Sequence, residues 1–201
     1  MILKPIWLPL QAQMAGLYRF SVAQYHKLIE IGILTEDDNL ELLDGYLVHK
    51  MSRNPPHDAC LQLIQEMLPR LLPAGWCLRM QSAITLSRSE PEPDAAIVRG
   101  NARTYATHHP TPTDIGMVIE VADSTLDADR ADKGRIYAEA GIVSYWIVNL
   151  VDRQIEVYTL PSGATATPVF GQRQDYRMGD AVPLLLDASL VGNILVHDLL
   201  P

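Results

Sequence analysis

"IGMVIEVADSTLDADRADKGRIYAEAGIVSYWIVN", residues 115 to 149, decides the fold. Its first eight residues, IGMVIEVA, are apolar in nearly every position and do not alternate. A strand covered on both faces reads this way. "DADRADKGRIYAEAG" is a helix that stops at Gly141, and "VSYWIVN" is a second buried strand. Strand, helix and strand in succession put the chain in the α/β class, with a mixed sheet flanked by helices.

Downstream, "RQIEVYTL" pairs with VSYWIVN through the turn at Val151, Asp152 and Arg153, and the tail to Pro201 mixes short strands and loops. Upstream, residues 100–113 form a loop rich in Pro, Thr and His, "DAAIVR" is a short strand, and "WCLRMQSAITL" is a strand with alternating faces. In "SRNPPHDACLQLIQEMLPRLLPAGW", Leu61, Ile64, Met67, Leu68, Leu71 and Leu72 follow helical spacing, and Pro69 kinks or ends the helix. "NLELLDGYLVHKM" is a hairpin of strands at about 39–43 and 46–51 around Asp44-Gly45. "YRFSVAQYHKLIEIG" is a first helix, with Ser21 and Gln24 as a capping box and Gly32 as its stop.

The 201 residues, 48% hydrophobic and 20% charged, suit one domain with a real core. We divide the chain into an arm over 1–17 and a domain over 18–201 whose core spans about 57–150. The net charge of −8 argues against a generic nucleic-acid binder, though not against an enzyme with a local basic groove. Cys60 and Cys77 lack a C-x-x-C context, so no disulfide is expected and a cytoplasmic location is the default. No run is long and apolar enough for a membrane span, and the N-terminus lacks the apolar core of a secretory signal.

Three charges stand in unusual places. Asp94 follows Pro93 and opens the buried strand DAAIVR, Glu120 interrupts the apolar strand near its end, and Lys133 lies one turn into the helix that follows. A lone buried carboxylate costs several kcal/mol unless it is paired or binds a metal. Two carboxylates at strand ends of one sheet suit a hard divalent cation such as Mg²⁺, and a lysine nearby can orient a water or balance charge on a phosphate. The plainer alternative makes Asp94 a turn residue and Glu120 the structural partner of Lys133. "THHP" at 107–110 offers adjacent histidines with no third ligand and is read as loop. Ser124 and Thr125 suit a turn and a cap, and Trp76, Tyr145 and Trp146 suit core packing.

The strings "ELLDGYLV", "PPH", "EPDAAIV", "MVIEVADST" and "DADRADKGRIYAEAGIVSYWIVN" together resemble the putative restriction endonuclease family, abundant in cyanobacteria, within the PD-(D/E)xK nuclease superfamily. The resemblance spans roughly residues 18 to 160. It implies a restriction endonuclease-like α-β-β-β-α-β core, here preceded by a helix and a β-hairpin. It implies a Mg-dependent endonuclease (Mn²⁺ being an alternative metal) that hydrolyses DNA phosphodiester bonds to a 3′-hydroxyl and a 5′-phosphate. Asp94 and Glu120 match the metal-binding carboxylates, the Val121 carbonyl a third ligand, and Lys133 a helix-borne lysine. Glu41 and His57 match positions at the edge of the site, supporting the metal or a water and contacting substrate or moving a proton. The chain departs from the parent motif, because Ala122 stands where a strand lysine would, and Asp123 is an added carboxylate of unassigned role. A homodimer is expected, since cutting a duplex takes two sites, with the arm and the tail after about 160 as candidate contact surfaces. The alternatives are a catalytically silent nuclease-like scaffold that serves as a binding module, and a metal-dependent phosphohydrolase acting on small nucleotides.

Overall fold

The computed structural model describes residues 16–51 and 53–201. The arm over 1–17 therefore lies outside the described residues, save Gly16 and Leu17.

Helix α1 (Val22–Glu30) opens with both halves of the predicted capping box: Gln24 N donates to Ser21 Oγ at 3.2 Å and Ser21 N to Gln24 Oε1 at 2.9 Å. The hairpin follows as β1 (Leu40–Leu43) and β2 (Tyr46–His49). Asp44 and Gly45 turn with φ of 50° and 84°, the left-handed pair that a two-residue hairpin turn of this hand requires. Helix α2 (Pro55–Met67) begins with the double proline in its first turn, where the missing amides cost nothing, and Asn54 Oδ1 accepts the His57 amide at 3.1 Å. Pro69 acts as expected, the helix tightening into a 3₁₀ turn over Leu68–Arg70.

A six-stranded sheet follows in the order β3-β4-β5-β6-β7-β8, comprising β3 (Trp76–Met80), β4 (Ala95–Arg99), β5 (Ile115–Ala122), β6 (Ser144–Asn149), β7 (Gln154–Pro161) and β8 (Phe170–Arg177). β5 and β6 are parallel and every other neighbouring pair is antiparallel. All eight residues of β5 are buried. The sheet is mixed and helices lie on both of its faces. Met117, Ile119 and Val121 pack on one side with Leu61 and Ile64 of α2. Val118 and Ala122 pack on the other with Ile136 and Tyr137. The tail completes the first core: β9 (Ala181–Leu186) and β10 (Ser189–Leu195) form a hairpin, α4 (Val196–Leu199) follows, and Val182, Leu184, Ile194 and Leu199 are buried in it.

Two expectations about detail need correction. "WCLRMQSAITL" is a strand only to Met80, because Gln81 turns at φ 46°; the chain then returns irregularly, with Ile84 N donating to Pro91 O at 3.0 Å. The helix that crosses from β5 to β6, α3, is α-helical over Leu126–Ala128, π-helical over Asp129–Lys133 and α-helical again over Gly134–Glu139. Since it starts at Leu126, Lys133 stands about two turns into it, not one.

Candidate active site

The β4–β5 register sets the geometry. Ala96 faces Val118 and Ala95 faces Ile119. Continued by one residue, the same register puts Asp94 opposite Glu120, on the face that α3 covers, where directly opposed residues have Cβ atoms about 4.5–5.5 Å apart. Asp94 Oδ2 accepts the Val121 amide at 2.8 Å, so its side chain takes over the ladder where the strand begins. Glu120 is two residues short of the end of β5.

Lys133 reaches both carboxylates of its own layer. Its Nζ lies 2.9 Å from Glu120 Oε1 and 3.7 Å from Asp129 Oδ1, the latter one turn back on α3. The π-helical stretch aims it: the Gly134 amide donates to the Asp129 carbonyl five residues back, and the Tyr145 hydroxyl donates to that carbonyl at 3.0 Å. Wide turns of this kind recur where a helix must re-aim a side chain. Tyr137 Oη donates to Glu120 Oε1 at 2.7 Å, and Thr125 Oγ1 donates to Asp129 Oδ2 at 2.6 Å.

From the opposite wall, His57 in the first turn of α2 puts Nε2 3.1 Å from Asp94 Oδ2. Asn54 Nδ2 donates to Asp123 Oδ2 at 2.6 Å, which ties the end of β5 to the start of the same helix. Glu41 enters from β1 and its Oε2 accepts the Glu92 amide at 3.0 Å. The hairpin that carries Glu41 is pinned at its turn: buried Asp44 pairs with Arg19 at 3.4 Å, Arg88 at 3.2 Å and Arg135 of α3 at 3.3 Å.

All of the residues singled out from sequence line one cleft of about 1290 Å³: Asp94, Glu120, Lys133, Glu41, His57 and Val121. Asp123 lines it too. Sequence reading missed Asp129 and Tyr137, which the structure brings to the same point. The signal for Asp129 was present, since it precedes Lys133 by four residues on a helix, the spacing at which an acid and a base meet. Nothing in the sequence marks Tyr137 apart from other core tyrosines.

The electrostatics are those of a compressed site. Burial pushes the Glu120 carboxyl up, Lys133 pulls it back, and Asp94 and Asp129 add to the rise. Burial also raises Asp129, again against the pull of Lys133. For Asp94 burial acts upward too, but the His57 hydrogen bond and charge, the Val121 amide and the charge of Lys133 together hold it below the usual carboxylate range. Burial alone would lower the Lys133 ammonium. Glu120, Glu41, Asp129 and Asp94 outweigh it, and the amine is held well above its ordinary value.

The donor set suits a hard divalent cation. Among the described residues, Oδ1 of Asp94 and Oε2 of Glu120 accept no hydrogen bond, whereas their sister oxygens are engaged. Among those residues no three His, Cys, Asp or Glu side chains form a ready-made cage. Two oxygen donors with open space beside them fit Mg²⁺, which keeps several waters, better than they fit a fully caged ion.

The architecture is a six-stranded mixed sheet between helices. A crystal structure of a putative nuclease from Anabaena variabilis, described as belonging to DUF820, shares it: TM-score 0.62 at 14% sequence identity, over 86% of this chain and 96% of that one. The family model Uma2, described as "Putative restriction endonuclease", matches residues 22–190, and the chain belongs to that family. No curated protein matches the chain.

Proposed function

We propose that the protein is a divalent-metal-dependent endonuclease that hydrolyses phosphodiester bonds of DNA. The observation that carries this reading is the convergence of Asp94, Glu120 and Lys133 on one open cleft, from two strands and a helix. Asp94 and Glu120 would hold Mg²⁺ or Mn²⁺, with the Val121 carbonyl as a third oxygen. When bound, such a cation lowers the pKa of a coordinated water and offsets charge on the scissile phosphate.

The chain's own groups do the rest. Lys133 remains a cation because four carboxylates surround it. It therefore acts as a donor that orients the attacking water and balances charge on the phosphate, not as a base. His57 and the Val121 amide fix Oδ2 of Asp94 and leave Oδ1 to face the cleft. Glu41, held by the Glu92 amide, adds to the field that keeps Lys133 charged. Asp123 is held by Asn54 and so serves to position the end of β5.

The proposal extends to the setting. A homodimer supplies two sites for two strands, and the outer face of the β9–β10 hairpin, with Leu185, Leu190 and Leu195 exposed, is its contact surface. No helix among the described residues is long and apolar enough to cross a membrane, and both cysteines are free. We place the protein in the cytoplasm, with residues 18–201 as one domain. A catalytically silent binding module is the competing reading, favoured by one observation: Glu120 Oε1 already takes both Lys133 and Tyr137. Plasmid nicking assays with Mg²⁺ or Mn²⁺ separate the two. Cleavage that is lost in Asp94→Ala and in Lys133→Ala supports the endonuclease. Absence of cleavage of any duplex or single-stranded DNA with either metal favours the silent module.

A further inference from the structure

A second depression, of about 520 Å³, opens on the far side of the β6–β7 turn. Val151 of that turn lines the cleft, while Asp152 and Arg153, the next two residues, line the depression. Arg130 enters it from α3, three positions before Lys133, and Arg173 and Arg177 enter from the edge strand β8. The two hollows are thus neighbours separated by one tight turn.

Four guanidinium groups meet here in a chain whose net charge is −8. They are not equivalent. Glu156, fully buried beneath them, accepts from Nε of Arg130 at 3.0 Å and pairs with Arg173 at 3.2 Å. Asp152 lies 3.4 Å from Arg130, and Asp175 takes Nε and Nη2 of Arg173 at 2.7 and 2.9 Å. Arg130 and Arg173 are thereby braced from below and from the side. Arg153 Nη1 donates to an oxygen of Pro201, the last residue of the sequence, at 3.2 Å; among the described residues Arg177 has no carboxylate partner and its guanidinium engages nothing. Arg177 is nonetheless placed, because its amide donates to Asp180 Oδ2 at 2.8 Å and Asp180 N donates back to Arg177 O at 2.9 Å. An arrangement made only for stability would pair all four. Planar forks presented at the rim, with the charge below only partly cancelled, suit a phosphate group.

We propose that this depression is a second contact for the phosphodiester backbone of duplex DNA, with Arg153 and Arg177 as its phosphate ligands and Arg130 and Arg173 as braced supports. It rests on the reading of the cleft as a DNA site. It also answers the difficulty posed by the acidic cleft. A duplex repelled by carboxylates near the reacting bond is gripped one turn of chain away, where the lining carries four arginines against two aspartates.

The test is binding of a labelled duplex by fluorescence anisotropy in metal-free buffer over a salt series. The wild-type chain is compared with Arg177→Ala, Arg153→Asn and the double variant; Asn is chosen because residue 153 sits at φ 52°, which Asn tolerates. Each substitution is expected to weaken binding several-fold and to reduce the log–log salt slope by roughly 0.9. Affinity and slope unchanged in the double variant overturn the assignment. Inorganic phosphate binding by calorimetry that is lost in the double variant while its DNA affinity stays unchanged overturns it in favour of a free-phosphate pocket. Cleavage by the wild-type chain, lost in Lys133→Met, reports on the cleft separately. A chain that cleaves in that pattern, yet binds equally well as the double variant, refutes the arginine site alone. A chain that binds no DNA refutes both.

Discussion

Lys133 Nζ stands 2.9 Å from Glu120 Oε1, although the lysine is carried by a helix and the glutamate by the strand before it. Glu120 is buried and Lys133 partly so, and each is tolerable there because of the other. Lys133→Met keeps the apolar stem and removes the charge. Cleavage is expected to fall ~100-fold or more. Stability is expected to fall by about 3 kcal/mol, as for breaking a buried pair. Adding Glu120→Gln should recover part of the stability and none of the cleavage, which nicking assays and urea melts on the same samples will show.

Asp94→Asn is nearly isosteric and keeps one oxygen for the Val121 amide. It removes the charge that faces the cleft. The expected outcome is a folded protein with an unchanged far-UV spectrum, no cleavage, and Mn²⁺ binding by calorimetry weakened at least ~10-fold. A variant that cleaves at the wild-type rate would remove Asp94 from the proposed metal site.

Glu156 gives a pH dependence with a definite sign. Burial would raise its carboxyl, but Arg130, Asn149, Tyr158 and Arg173 hold it at about 2, against an ordinary value of 4.5. The unfolded chain therefore takes up the proton first. The stability due to this group is complete above about pH 4.5 and is lost as the pH falls from there through about 2. It is on the order of 3 kcal/mol. Urea midpoints between neutral pH and pH 3 should fall more steeply for the wild-type chain than for Glu156→Gln.

Gly116 tests the packing of β5 against the edge of the sheet. A Cβ there would lie 2.5 Å from Cζ3 of Trp76 and 2.9 Å from Cδ2 of Leu186. Gly116→Ala is expected to cost about 1–3 kcal/mol by overpacking. Trp76→Leu in the same chain should return much of it, measured as the shift in thermal midpoint.

Much of this was legible in the sequence, for local reasons. Ser21 and Gln24, Asp44 and Gly45, and the apolar run of β5 are signals that a few neighbouring residues settle among themselves. Asp94 and Glu120 stood out because charges in apolar runs are rare, and Lys133 because it lies on the helix that follows Glu120. What stayed hidden depends on the whole fold. β8, "FGQRQDYR", is an edge strand with polar residues on both faces, so it lacks the alternation that marks a half-buried strand. The π-helical turn has no composition of its own. The end of β3 at Met80 depends on the left-handed turn at Gln81 and on the return of the chain toward Pro91.

The burial of Ala122 limits how this site could be rebuilt. It lies two residues beyond Glu120 on the same face of β5, fully covered and in the core that Ile136, Tyr137 and Tyr145 share. An ammonium group grafted there would have to displace that aromatic wall before it reached the cleft. The crossover helix and a strand-borne amine thus compete for one volume. Moving the positive charge from position 133 to 122 would require the helix itself to be lifted off the sheet, so no single exchange of residues can transplant it.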